Sequence, residues 1–287
     1  MIDRPRTGIM SDTYAGIRTD LILFVLGFFL TVFIGNRFGP GGLGFFSMAL
    51  TMYVLGVLAC SSGVTHVFVP KLTGIPKNEQ RRLVTTALLF VVVFGLAATV
   101  FGFMISRRIS QAFDIYDLWR VVCLVSLAFV PGVFNETICN FLAVLDGHKT
   151  ANRYRMKKRI IFLCVAVVMS VTKNIYLVLT AFFISDLILT ITLIRRERAW
   201  FFPLDFSGFS ETAPGLLLSS VRRSFSGSAG EVNVRIDVLI IGYFMSASSV
   251  GVYAVAILVT RLILLPWEVI REVMLTRPKD TGDTGIG

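Results

Sequence analysis

The sequence predicts an all-α membrane protein of about eight spanning helices, a six-helix bundle followed by the first two helices of a duplicated second bundle. Three observations carry that prediction. Apolar residues make up 55% of the chain and charged residues 16%, whereas a soluble domain is about one quarter charged. Mean hydropathy is +0.76, and single apolar runs exceed the roughly 18 residues that mark a spanning helix. Basic residues gather in alternate loops, as orientation in a bilayer requires. With lipid as the solvent, each span must satisfy its own backbone, so helices are the expected form.

The spans follow from the apolar runs in order: residues 18–36, 43–69, 83–105, 118–145, 160–172, 175–194, 221–244 and 250–272. The fifth run is short, stopping at Lys173-Asn174 after about thirteen residues, or some 20 Å of helix against a core of about 30 Å. It reaches span length by extending backwards, with Lys157, Lys158 and Arg159 snorkelling to the interface. The alternative is one long kinked helix over 160–194. Charge decides between them. With eight spans and a cytoplasmic amino terminus, one side collects Arg4, Arg6, Lys71, Lys77, Arg81, Arg82, the basic residues of 149–159, Arg195, Arg196, Arg198, Arg222, Arg223, Arg271, Arg277 and Lys279. The other side keeps only Arg37, Arg107, Arg108, Arg120 and Lys173. Fusing the fifth and sixth spans would put the Arg195–Arg198 cluster outside and spoil the positive-inside pattern. The net charge of +10 is thereby an orientation signal, aided by anionic lipid, and calls for no nucleic acid. The domain boundaries that result are 1–200 for the first bundle, 201–220 for a cytoplasmic linker, 221–274 for two further helices and 275–287 for a polar tail.

The stretch FGPGGLGFFSMAL opens at Phe38, and FMSASSVGVYAVAI opens at Phe244. Each follows an apolar run ending in Ile-Gly. At an offset of 207 residues (251 minus 44), Gly35 falls on Gly242, Gly44 on Gly251, Phe46 on Tyr253, Ala49 on Ala256 and Leu50 on Ile257. Glycines in such a hairpin permit a tight reversal and close helix approach. The offset covers six spans, so the seventh restarts the first. A duplicated bundle of this kind implies two units rocking about a midplane site. It also implies that only two of the second unit's six helices are present and that the chain is an incomplete copy.

FGPGGLGFFSMALTMYVLGVLACSSGVTHVFVPKLTG, with the span before it, resembles the start of polysaccharide-biosynthesis flippases of the O-antigen type. That family is part of the superfamily of multidrug and oligosaccharidyl-lipid exporters. RIDVLIIGYFMSASSVGVYAVA resembles the family's hairpin between the seventh and eighth spans. The resemblance implies a translocator of undecaprenyl-pyrophosphate-linked oligosaccharide in the bacterial cytoplasmic membrane, working by alternating access. A cation-coupled small-molecule antiporter of the same fold and an inactive truncated remnant are the competing readings.

Ionisable groups inside spans cost several kcal/mol unless paired or wet, which makes them candidates for function. Span seven holds Glu231 and Arg235 at i,i+4, with Asn233 and Asp237 on a neighbouring face. Arg261 lies in span eight, Asn135 and Glu136 in span four and Asp186 in span six, while Arg18 and Asp20 open span one. For a flippase, the resemblance implies that arginines facing a central cavity bind the pyrophosphate, with Arg235, Arg261 and Arg18 as candidates. A carboxylate there would hold a proton or sodium ion, with Asp237, Glu136 and Asp20 as candidates. Structural readings compete: Arg18 and Asp20 as interface anchors, Glu231 and Arg235 as a packing pair, and Glu136 and Asp186 as hydrogen-bond partners between helices.

Enzymatic chemistry finds no support. The sequence has no paired-carboxylate motif, phosphate-binding glycine loop or nucleophile–histidine arrangement. Cys60, Cys123, Cys139 and Cys164 sit in apolar runs without ligand spacing, as small buried hydrophobes do. His66 and His148 are too far apart to suggest a metal site, and no cofactor is expected.

Overall fold

The computed structural model describes residues 6–72, 75–197 and 209–276, and the secondary structure among them is helical. The elements are α1 (Arg6–Leu72), α2 (Lys77–Ala112), α3 (Leu118–Leu127), α4 (Phe129–Leu145), α5 (His148–Ser170), α6 (Ile175–Arg196), α7 (Phe209–Phe244) and α8 (Ala247–Thr276). The protein is an all-α membrane protein. Leu21–Leu72, Glu79–Ala112 and Ile175–Arg196 are each apolar and long enough to cross a bilayer. The bent pair α3–α4 meets the same test when taken as one span.

α1 is two antiparallel arms. Gly39, at φ 71° and ψ −176°, breaks it in a conformation that residues with a side chain rarely adopt. Pro40 then starts the second arm with its φ already fixed near the helical value. The first and second expected spans are these two arms.

The α5–α6 junction settles the fifth and sixth spans as separate helices. Lys173 takes a positive φ of 55°, and the Asn174 side chain caps α6 by accepting the Tyr176 amide at 3.0 Å. α5 covers 23 residues, or about 34 Å, by running back through the basic segment to His148, and it is not among the helices apolar enough to cross a bilayer. The fourth expected span is not one helix, because α3 and α4 meet at Ala128 with a bend of 46°. Pro131 has no amide to bond the carbonyl four residues earlier, and the chain turns there. α7 begins at Phe209, within the expected linker 201–220. Residues 198–208 and 277–287, which hold the rest of that linker and most of the expected tail, lie outside the described residues.

Alternating helix direction gathers four turns at one end. The Arg37 guanidinium reaches the Ser170 carbonyl at 3.4 Å, Phe45 meets Tyr176 with ring centroids 6.3 Å apart, and Phe113 packs edge-on to Tyr243 at 5.6 Å. The opposite end carries the basic loops. There Gln80 caps the Leu72 carbonyl at 3.2 Å, and Tyr154 ties α5 to Glu197 just beyond α6.

The outer surface suits lipid. Along α2, Val93, Leu96, Val100 and Met104 form one exposed stripe at helical spacing, with Met104 73% exposed. In water this face would be a liability, whereas in a bilayer it faces its solvent. The interior is filled by Ile34, Met48, Phe68, Leu142, Leu179 and Leu189, all fully buried.

The two glycine-rich hairpins pack against each other reciprocally. A Cβ on Gly44 would lie 1.7 Å from the Ala247 carbonyl oxygen, and one on Gly251 would lie 2.0 Å from the Pro40 carbonyl oxygen. Ala247 is Pro40 shifted by the same 207 residues that relate Gly251 to Gly44. A Cβ on Gly41 would lie 3.4 Å from the hydroxyl of Ser248, its own counterpart. Within each hairpin the same pairing recurs: a Cβ on Gly35 would lie 3.4 Å from Leu43, and one on Gly242 would lie 3.5 Å from Val250. The sequence repeat therefore coincides with a two-fold-like arrangement of backbone contacts.

Candidate functional site

Helical spacing delivers three faces to one cavity. On α5, Arg155, Lys158, Arg159 and Phe162 stand at i, i+3, i+4 and i+7. On the second arm of α1, Leu50, Tyr53, Val54 and Val57 repeat that pattern, and on α6 Phe182, Ser185 and Asp186 continue it. With Glu136 of α4, these faces enclose about 360 Å³. The wall is apolar and aromatic apart from its ionisable groups: the Phe182 ring lies 5.1 Å from that of Tyr53 and 4.7 Å from that of Phe162.

One end of the cavity is closed by a hydrogen-bonded ion pair. Asp186 is 1% exposed. Its Oδ1 lies 2.8 Å from Lys158 Nζ and accepts from Asn135 Nδ2 at 3.0 Å, while its Oδ2 accepts the Tyr53 hydroxyl. Lys158 also donates to Tyr53 Oη at 2.8 Å. The Thr190 hydroxyl, shared between the Asp186 carbonyl at 2.8 Å and Asn135 Oδ1 at 3.0 Å, holds the amide in place. Four elements thus meet at one carboxylate. A buried charge is tolerable only when it is paired and its remaining lone pairs are bonded, and both conditions are met here. Gly132 lets α4 come this close, because a Cβ there would lie 2.8 Å from Tyr53 Oη and 3.2 Å from Asp186 Oδ2.

A second network lines the cavity toward the basic end. Arg155 Nη2 donates to Asn140 Oδ1 at 2.8 Å and lies 3.7 Å from Glu136 Oε1. Asn140 in turn donates to the Thr65 hydroxyl at 3.4 Å. Arg159 points at the first arm of α1, with Nη2 3.2 Å from the place a Cβ on Gly27 would take. Its Nε is buried and has no hydrogen-bond partner among the described residues. Arg235 on α7 is near enough for its charge to act on that of Arg159, and the two repel.

Outside the spans, the basic end carries one titratable cluster. The Tyr154 hydroxyl donates to Glu197 Oε1 at 2.5 Å. Burial, and then that carboxylate, push the phenol above its ordinary range. Burial and the same Glu197 charge also raise the Asp146 carboxyl. This cluster fastens the α4–α5 turn to the end of α6 and stands away from the cavity lining.

The structure separates the residues singled out from the sequence. Glu136 lines the cavity, and Arg235 is linked to it through the action of its charge on Arg159. Asp237 does not line the cavity: it accepts the Tyr253 hydroxyl and the Val238 amide, bracing the α7–α8 hairpin. Arg18 and Asp20 lie on the helical backbone of α1, Glu231 on that of α7 and Arg261 on that of α8, and their side chains are outside the described residues. Asp186, read with Glu136 as a possible packing partner, and Asn135, noted only as Glu136's neighbour, form the central cluster. Lys158 does not snorkel, because its ammonium turns inward to Asp186. Tyr53 escaped the sequence reading, and Arg155 and Arg159 entered it only as charges of the basic segment. The available signal was the i, i+3, i+4, i+7 stripe that runs from the basic segment into the apolar part of α5. The expectation of four buried cysteines fails for Cys164, which is exposed on α5; Cys139 is buried, and Cys60 and Cys123 are half-buried. Among the described residues, no group of three or more histidine, cysteine or acidic side chains is placed to hold a metal ion.

The fold and cavity define an all-α membrane protein whose interior presents three cations and two carboxylates to a space of small-ligand size. The chain belongs to a family of polysaccharide biosynthesis proteins, whose sequence profile matches residues 39–275. The match takes in the whole Tyr53–Lys158–Asp186 cluster, the first glycine-rich hairpin from Gly39 onward and all of the second, and it ties the protein to polysaccharide synthesis or export. Neither a curated protein nor a solved structure matches the chain.

Proposed function

We propose that this protein translocates an undecaprenyl-pyrophosphate-linked oligosaccharide across the bacterial cytoplasmic membrane by alternating access, moving its substrate without chemical change. One observation carries the reading: Arg155, Lys158 and Arg159 converge on a cavity walled by apolar helices, and the charge of Arg235 acts on Arg159. Cations in a membrane interior are costly and suit a multiply negative head group, which guanidinium groups bind bidentately. Arg235, Arg261 and Arg18 are the proposed pyrophosphate ligands, joined by Arg159. The polyprenyl tail stays in membrane lipid. Asp237, Glu136 and Asp20 are the proposed carriers of a coupling proton or sodium ion, of which Glu136 alone faces the cavity among the described side chains. A multidrug-type antiporter would present an acidic cavity to cationic substrates, and here cations outnumber carboxylates. The reciprocal hairpin contacts support a duplicated architecture, in which α7 and α8 open a second bundle.

Introduced at the native locus, Arg235→Ala and Arg159→Ala are each expected to abolish surface polysaccharide while the protein remains in the membrane, and Arg235→Lys is expected to retain part of it. Normal surface glycan in both alanine variants would remove the assignment. The orientation has its own test. With the amino terminus in the cytoplasm, a reporter fused after Arg196 reads cytoplasmic, and a periplasmic signal would invert the bundle.

A further inference from the structure

We infer that Lys158 is a tethered counter-ion: its ammonium fills the cation position beside Asp186, so this carboxylate takes no sodium ion in the native protein. A carboxylate that is 1% exposed in a membrane bundle needs a positive partner, and the partner can be a proton, a metal cation or a side chain. Here the partner is an ammonium at 2.8 Å from Asp186 Oδ1 and 2.8 Å from Tyr53 Oη. Those oxygens, with Asp186 Oδ2, are hard donors of the kind a monovalent cation takes. The arrangement is prebuilt: Asn135 and Thr190 fix the carboxylate, and Gly132 leaves room for α4 against it. Lys158 reaches the position on a flexible stem whose side chain is 25% exposed, so the site borders the cavity and ions can enter once the ammonium is gone.

Two features make the position specific to Lys158. Arg155, the other cation on that face, is held by Asn140 and Glu136. Arg159 is directed away, toward Gly27. Glu136 lines the same cavity and stands as the rival carboxylate. The inference goes beyond the translocation reading and does not depend on it, because it is tested by stability rather than transport.

The experiment is thermal unfolding of the purified protein in detergent. The chloride salts of sodium, methylammonium and the bulky N-methylglucamine are compared at matched ionic strength. The wild type is expected to melt at one temperature in all three. Lys158→Ala is expected to melt lower in N-methylglucamine and to recover at least about 5 °C in sodium or methylammonium, with saturable dependence on concentration. Lys158→Ala combined with Asp186→Asn should lose that response, whereas Lys158→Ala combined with Glu136→Gln should keep it. Sodium stabilisation of the wild type that disappears in Asp186→Asn would overturn the inference. So would a Lys158→Ala protein that no small cation restores, including one recovered folded in none of the salts.

Discussion

Asp186→Ala is expected to be among the most destabilising single substitutions in the bundle, at about 3–5 kcal/mol, because it leaves the Lys158 ammonium buried against apolar and aromatic neighbours without its counter-charge. Tyr53→Phe removes one hydroxyl from the same cluster and should cost about 1–3 kcal/mol, since the carboxylate keeps its ammonium and its amide. The order is the diagnostic part. Asp186 is bonded from α1, α4 and α5 at once, whereas Tyr53 contributes one arm of that set. Removing both charges through Asp186→Ala with Lys158→Met should cost less than the sum of the two single changes, because a neutral apolar pair leaves no orphaned ion. Melting temperatures of the four proteins in one detergent measure this. Equal stability of Asp186→Ala and wild type would show that the pair carries no energetic weight.

The second large effect is expected at the hairpin crossing. Gly44→Leu and Gly251→Leu should each cost about 3 kcal/mol or more, because the obstructing atoms belong to backbone and cannot rotate away. The Cβ position at Gly44 is 1.7 Å from one carbonyl oxygen and that at Gly251 is 2.0 Å from another, so the only relief is to separate the helices. Gly41→Ala provides the contrast, since its nearest neighbour, Ser248 Oγ at 3.4 Å, is at ordinary contact distance. The expected ranking in yield of folded protein and in melting temperature is Gly41→Ala near wild type and both leucine variants far below it. A damaged Gly41→Ala protein beside an intact Gly44→Leu protein would refute the reciprocal crossing. The same geometry predicts that cysteines placed together at Gly41 and Ser248 form a disulfide under mild oxidation.

Much of the fold could be read locally. The apolar runs gave the spans, because bilayer thickness sets a length that hydropathy reveals directly. The repeated phrase around Gly44 and Gly251 marked a packing element, because close backbone approach requires residues that sequence displays as glycine. The break at Ala128 was less visible: Pro131 was present, but proline is common in membrane helices and whether it bends one depends on what neighbouring helices supply. The separate α5 and α6 followed from charge distribution, and Lys173 and Asn174 supplied the turn itself.

The site was legible only in its ingredients. Asp186, Asn135 and Glu136 drew attention as polar groups in apolar runs. Lys158 was assigned to the interface because a lysine beside Lys157 and Arg159 at the end of an apolar run has two equally local options, to reach outward to water or inward to a partner. The rotation of α5 about its axis chooses between them, and that rotation is fixed by the packing of α1, α4 and α6. Hydropathy, charge asymmetry and the glycine repeat determined that this is a helical membrane protein with paired hairpins, since each depends on solvent or on backbone approach and is written residue by residue. Tertiary structure alone decided that Lys158, Tyr53, Asn135 and Asp186 share one cluster, since a counter-ion is defined by distance across four elements and sequence spacing carries no information about that distance.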